Sequence, residues 1–208
     1  AGYLAYRNYF NERMQLKGWV VRIDVKFDTE GEINLMKIRK ASLADLTNLC
    51  DFYQQVCEDQ KTDQYSPDWH WGIYPSKEIL ANFLKNAQII IAIKDGKLVS
   101  AGVLTDGEDP NYAHVAWKHK LDDRKITVLH LFAVSQKERG QGIAGKMLTE
   151  FDNFAKDAGY YAIHLDVMKG NLPAEKLYQK HGFEFAEEAT IHYEDDGDTQ
   201  AMMYEKVL

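Results

Sequence analysis

The chain has 208 residues, 45% of them hydrophobic and 27% charged, and a formal net charge of −7. That length suits one domain with a sizeable core. No run approaches the roughly 20 apolar residues of a membrane-spanning helix, and the acidic balance excludes the basic face that nucleic-acid binding needs. With no basic-then-apolar leader pattern at its N-terminus, the chain is expected to be cytoplasmic.

Residues 1–35 carry the aromatics Tyr3, Tyr6, Tyr9, Phe10 and Trp19 and an alternating, strand-like run from Val20 to Phe27. They read either as an extension or as an arm that packs on this or a neighbouring subunit. The main domain is expected over 36–208, opening with a strand at Lys37–Arg39. Ser42-Leu-Ala-Asp45 resembles a capping box, after which Leu43, Leu46, Leu49, Cys50, Tyr53, Val56 and Cys57 mark the inward face of a first helix. The two cysteines lie too far apart along such a helix to bond and are expected as reduced core residues. No Cys/His spacing suggests zinc.

A polar and aromatic loop follows from Asp59 to Tyr74, then a second helix over Pro75 to Ala87. Ile89–Lys94 and Leu98–Leu104 flank Asp95-Gly96, a two-residue hairpin turn. Glu108 to Lys125 reads as an insertion or long connection before a strand at Ile126–Val134. The acidic clusters Asp106–Asp109, Asp122–Asp123 and Glu194–Asp198 are expected as solvated loops. A helix with the stripe Ile143, Met147, Leu148, Phe151, Phe154, Ala155 and Ala158 ends at Gly159. A strand at Tyr160–Val167 comes next. Pro173 opens a short helix carrying Ala174, Leu177, Tyr178 and His181, stopped by Gly182. Strands at Phe185–Glu194 and Gln200–Val207 form a closing hairpin. The order β-α-α-β-β-β-α-β-α-β-β describes an α/β (α+β) fold with a mixed sheet of seven strands.

Chemistry concentrates at Val128–Leu148, where an apolar strand runs through a basic, glycine-rich turn into a helix. Unpaired N–H groups in the first helical turn and glycines that admit close approach make an anion site. Three patterns compete for it. Gly140 to Lys146 fits most of a Walker A loop, but Met147 stands where Mg²⁺ needs a hydroxyl. Gly140, Gly142 and Gly145 fit a dinucleotide fingerprint, and Asp166 stands about where a ribose-binding acid would. There, however, Ser135 to Arg139 separate strand from glycine, and the motif comes too late in the chain for a doubly wound sheet. Arg139, Gly142 and Ala144 fit [QR]-x-x-G-x-[GA], an acyl-CoA pyrophosphate loop.

I-R-K-A-S-L-A-D-L at Ile38–Leu46, R-G-Q-G-I-A at Arg139–Ala144 and N-L-P-A-E-K-L-Y-Q-K-H-G-F at Asn171–Phe183 together resemble the GNAT superfamily of acyl-CoA-dependent N-acyltransferases, over about Met36 to Leu208. The resemblance implies the GNAT fold, whose fourth and fifth strands are parallel but splay apart to admit acetyl-CoA. It implies a pyrophosphate on the N–H groups of Gln141, Gly142, Ile143, Ala144 and Gly145, with Gly140 in the turn and charge from Arg139 and Lys146. Phe132 and Val134 would bind pantetheine and the acetyl carbonyl through their backbone, Val134 N–H serving as oxyanion donor. Asn171 and Ala174 would line the CoA arm, and Tyr178 would face the CoA sulfur and protonate the leaving thiolate.

The attacking amine must also lose a proton, and the resemblance does not choose the base. His130 is the first candidate, since strict alternation would put it on one strand face with Phe132 and Val134. Glu108, His114 and His192 are further candidates. Trp71 and Tyr74, in the loop where the family builds its acceptor pocket, and also Trp117, could hold an amine by cation–π contact. The expected activity is direct transfer of acetyl from acetyl-CoA to a primary amine of a small-molecule acceptor. No metal, nucleic acid or membrane is involved, and the resemblance is compatible with a homodimer. A non-catalytic acyl-CoA sensor of the same fold and a dinucleotide oxidoreductase are the competing readings.

Overall fold

A computed structural model of the chain describes residues 11–16, 19–27, 33–193 and 196–208. Nine strands form one sheet: β1 (Asn11–Leu16), β2 (Trp19–Phe27), β3 (Ile33–Lys40), β4 (Gln88–Lys94), β5 (Lys97–Asp106), β6 (Ile126–Val134), β7 (Ala162–Met168), β8 (Glu184–Tyr193) and β9 (Gly197–Val207). Their spatial order is β1-β2-β3-β4-β5-β6-β7-β9-β8. The seven expected strands are β3–β9, and β1 and β2 extend the sheet by antiparallel pairing onto β3. The aromatics at 3, 6, 9 and 10 lie outside the described residues.

Four helices cover the sheet: α1 (Leu46–Asp59), α2 (Lys77–Asn86), α3 (Ile143–Ala158) and α4 (Leu172–Lys180). None among the described residues is long and apolar enough to cross a membrane. The run Ile89-Ile90-Ile91 shows why the central strands read as continuous hydrophobics. Ile90 packs with Met147, Leu148 and Phe151 of α3, whereas Ile89 and Ile91 pack with Leu49 and Tyr53 of α1 and Leu80 of α2. Both faces of these strands are buried, so polar alternation has no place there.

Some boundaries differ from the sequence expectation. Leu43–Asp45 is a 3-10 turn ahead of α1. Leu43 is 61% exposed there and does not face inward. The Asp45 carboxylate accepts from Ser42 N–H at 2.8 Å and from both terminal nitrogens of Arg39, and the guanidinium holds its pKa below the usual carboxylate range. Ser76 caps α2 by accepting from Ile79 N–H, so Pro75 stays outside the helix. Tyr160 precedes β7 and does not belong to it. Residues 197–199, expected in the final turn, begin β9; position 194, expected to end the preceding strand, and position 195 of the turn lie outside the described residues.

The 107–125 connection is more than a solvated loop. Tyr112, Val115, Trp117 and Leu121 close a third apolar cluster over Ile126 and Val128 of β6, Ala189 and Ile191 of β8 and Met203 of β9. This buried underside fixes the acidic segment above it.

Candidate active site

β6 and β7 are the one parallel pair in the described sheet, and they bond over only three positions, Ile126↔Ala162, Thr127↔Ile163 and Val128↔His164. Beyond them the strands part. A cavity of about 1030 Å³ occupies the opening, walled by Leu129–Val134 of β6, Asp166–Met168 of β7, α4 and two loops. The parting leaves β6 and β7 backbone groups on that side without a strand partner, available to an amide-bearing ligand.

A bulge shapes the β6 wall. Ala101 of β5 faces Ala133 and Val103 faces His130, so Gly102 alone spans Leu131 and Phe132, and Leu131 adopts a left-handed φ of 51°. An extra residue in one strand reverses the alternation beyond it. This corrects the expectation that His130, Phe132 and Val134 share a face. Phe132 and Val134 pack on the α3 side, the Phe132 ring meeting Phe151 at 5.2 Å. Leu131 packs with the α1 side, and its carbonyl accepts from Tyr53 Oη at 2.7 Å. His130 precedes the bulge and faces the acidic loop, with Nε2 3.7 Å from Asp109 Oδ2. Burial lowers its pKa below 6.5, opposed in part by Asp166, Asp109 and Glu108.

At one end of the cavity lies the glycine loop. Gly140 and Gly142 take φ of 77° and 78°, where an L side chain is strained, and a Cβ at either would meet nothing within 4 Å. Gly142 caps α3 without any side-chain hydrogen bond, so the first-turn amides are left to an outside acceptor. Gly145 lets α3 approach α4, since a Cβ there would lie 2.7 Å from His181 Nε2. Arg139 and Ala144 reach the cavity wall. Gln141, Ile143 and Lys146 belong to the adjoining loop and first turn. Arg139 pairs with Asp63 at 2.7 Å, and Gln136 donates to the same carboxylate at 3.0 Å. Lys94 holds Glu138 at 2.7 Å and Gln141 at 2.8 Å. The glycine loop is thus tied to β4 and, through Asp63, to the loop from Asp59 to Tyr74.

α4 supplies the facing wall. Asn171 caps it by accepting from Ala174 N–H at 3.4 Å, and both residues line the cavity. Tyr178 is 8% exposed and packed between Phe132 and Phe183 rings. Burial first, and the Asp166 charge second, push its pKa well up, so the phenol stays protonated as a donor.

The other end of the cavity is aromatic and acidic. Trp69 and Tyr74 line it, Trp69 being held by its backbone carbonyl accepting from Gln60 Nε2 and its N–H donating to Gln60 Oε1. Trp71 does not line it; it packs on the α1–α2 core. Trp117 does not either. Its indole stacks on His164 at 3.8 Å beneath the acidic loop. Among the spare base candidates, Glu108 and His192 line the cavity and His114 does not.

Asp166 and Glu108, which the sequence offers only as a strand-ending acid and a spare base candidate, complete this end with Tyr112, Tyr193, His119, His164 and Glu205, which it does not single out. Asp166 accepts from Tyr112 Oη and from Tyr193 Oη, one on each oxygen. Glu108 begins a line of ionisable groups that is buried at its centre: its Oε2 meets His164 Nδ1 at 2.7 Å, His164 Nε2 meets Glu205 Oε2 at 3.1 Å, and Glu205 Oε1 meets His119 Nδ1 at 2.9 Å. Residues 108 and 119 both belong to the loop, so this line staples it to β7 and β9 at two points. For the loop members the sequence signal is a cluster of acids and aromatics between Asp106 and Trp117, which reads equally well as solvated.

The model of the acetyltransferase (GNAT) family matches residues 47–183. Human N-acetyltransferase 8B is 35% identical over 72 residues, a match spanning 35% of this chain and 31% of that protein. Among solved structures, a GNAT-family acetyltransferase from Streptococcus pneumoniae superposes with a TM-score of 0.62 at 21% identity, over 83% of this chain and 99% of that one. A GNAT-family acetyltransferase from Elizabethkingia anophelis with acetyl-CoA bound gives 0.57 at 17% identity, over 83% and 98%.

Proposed function

Since the chain belongs to the acetyltransferase (GNAT) family, whose acetyl donor is acetyl-CoA, we propose that it is an N-acetyltransferase acting on a primary amine of a small cationic acceptor by direct attack. The observation that carries this reading is a single cavity in the parting of β6 and β7, with an anion-binding loop at one end and carboxylates and aromatics at the other. Residues 36–208 form the transferase domain in this reading, and residues 1–35 an extension whose described strands, β1 and β2, lengthen its sheet.

The residues fit the donor. The uncapped first turn of α3, from Gln141 to Gly145, would hold the pyrophosphate with Gly140 in the turn and with Arg139 and Lys146 adding charge. Phe132, Val134, Asn171 and Ala174 would flank the pantetheine arm. Acetyl-CoA supplies an activated thioester, and the chain does the rest. Val134 N–H donates to the oxygen where negative charge develops, an interaction worth roughly 3 kcal/mol in a dry site. Tyr178, kept protonated by burial, donates to the departing sulfur. His130, kept neutral by burial, accepts a proton from the acceptor nitrogen. Neither Cys50 nor Cys57 lines the cavity, which favours direct attack over an acyl-cysteine. Tyr74 and Trp69 form the aromatic wall on the acceptor side.

Calorimetry with acetyl-CoA, using NADH and ATP as controls, followed by free-thiol release across a panel of amines, tests the proposal. Micromolar binding of acetyl-CoA alone and amine-dependent thiol release are expected. Binding without release for any amine would leave a sensor, and tighter binding of NADH would overturn the reading of the loop.

A further inference from the structure

Asp166 lies two residues beyond the last β6–β7 pair, at the point where the cavity opens. Its two oxygens accept from Tyr112 Oη and Tyr193 Oη, donors on two separate elements, the 107–125 loop and β8. Two hydroxyl donors, one on each oxygen, fix the plane of the carboxylate but bring no positive charge. No lysine or arginine among the described residues pairs with it. Arg139, which lines the same cavity, is engaged by Asp63. Around Asp166 the charge is of the same sign: Asp109 and Glu108 lie on the loop above, and His130, whose imidazole is neutral, faces all three. A carboxylate held in a partly desolvated wall without a counter-charge is costly, and a cation entering the cavity relieves that cost.

We infer that Asp166 is the specificity-determining anchor for the acceptor nitrogen, which enters as an ammonium ion. The acceptor class is therefore aliphatic amines that are protonated at neutral pH, and arylamines, hydroxylamines and amides are disfavoured. The inference rests on the acetyltransferase reading of this cavity. Tyr112 and Tyr193 are positioning residues, acting by holding the carboxylate toward the opening. The ammonium bound at Asp166 gives one proton to His130, and the free lone pair then attacks the acetyl carbon. The second nitrogen proton, lost as the amide forms, replaces the one that Tyr178 gives to the sulfur, and the proton held by His130 passes to solvent. One net proton leaves per turnover.

Benzylamine and aniline make a matched pair, since they are similar in shape and only benzylamine is an ammonium at neutral pH. Each is titrated by calorimetry into the complex with CoA, for the wild type and for Asp166→Asn. The wild type is expected to bind benzylamine at least tenfold more tightly than aniline. Asp166→Asn is expected to lose that preference, through weaker benzylamine binding alone, while its acetyl-CoA affinity stays within twofold. A wild-type protein that binds the two equally, or a variant that keeps the preference, would overturn the inference. Failure of the wild type to bind acetyl-CoA would instead overturn the donor assignment, so the two failures are distinguishable. Should Asp166→Asn not fold, the wild-type comparison still decides, and Tyr193→Phe is expected to reduce the benzylamine preference in part.

Discussion

The Phe151 ring of α3 rests directly on Gly102 of β5, so closely that a Cβ on residue 102 would lie 2.5 Å from Phe151 Cζ. Gly102 is also the residue that spans the bulge in β6, and Phe151 packs edge-on against Phe132 beyond that bulge. One missing methyl group therefore sets both the seat of α3 and the wall of the cavity. Gly102→Ala is expected to destabilise the fold by about 1–3 kcal/mol through overpacking, measured by urea unfolding, and to weaken acetyl-CoA binding because Phe132 is displaced with Phe151.

Tyr178→Phe removes a hydroxyl and leaves the ring contacts with Phe132 and Phe183 in place. Turnover on any accepted amine is expected to fall roughly 100-fold or more if the phenol is the general acid. Acetyl-CoA affinity by calorimetry should change little. An unchanged rate would remove Tyr178 from the mechanism.

His130 gives a pH signature. Burial favours its neutral form and sets its folded pKa below 6.5. Activity requiring the neutral imidazole is therefore full at neutral pH and falls as pH drops through that lowered value. Stability follows the same sign: the neutral buried ring contributes fully above about 6.5, the unfolded value, and the contribution is lost as pH falls through the folded pKa. In kcat/KM profiles the His130 limb should stay fixed across amines of different basicity, whereas the limb of the acceptor ammonium moves with its own pKa. His130→Gln should abolish the fixed limb and leave the moving one.

His164 is fully buried between Glu108 and Glu205, the latter 2% exposed. His164→Leu takes the imidazole partner from Glu108, leaves Glu205 with His119, and removes the stacking partner of Trp117. The expected cost is about 3–5 kcal/mol, read from denaturant midpoints, with a change in Trp117 fluorescence as its stacking partner is lost.

The glycine loop, the hairpin at Asp95-Gly96 and the Pro173 helix were legible in the sequence because each is written in local chemistry: a required φ, an uncapped turn, a missing N–H. The bulge was not. It depends on Gly102 of the neighbouring strand, and nothing between His130 and Val134 marks it, so alternation put His130 on the wrong face. Trp71 and Trp117 read as pocket aromatics because an irregular loop gives no periodicity to tell a wall from a foundation, and Trp69, two residues from Trp71, took the cavity position. Asp166 was noticed only as a strand-ending acid; its role in the wall follows from Tyr112 and Tyr193, which lie 54 and 27 residues away in sequence.

The three-position contact between β6 and β7 also makes the sheet mechanically uneven. β1–β6 and β7–β9 are two stiff plates joined along a short seam, with α3 and the 107–125 loop as straps. An acyl donor lying in the opening would act as a missing length of strand and lengthen that seam. At a concentration 100 times its dissociation constant it adds roughly 2.7 kcal/mol to the folded state. That gain should fall on the motion of one plate against the other, so amides of β7 and the lower part of β6 would slow their exchange with solvent far more than those of β4 or β5, which are already sealed on both sides.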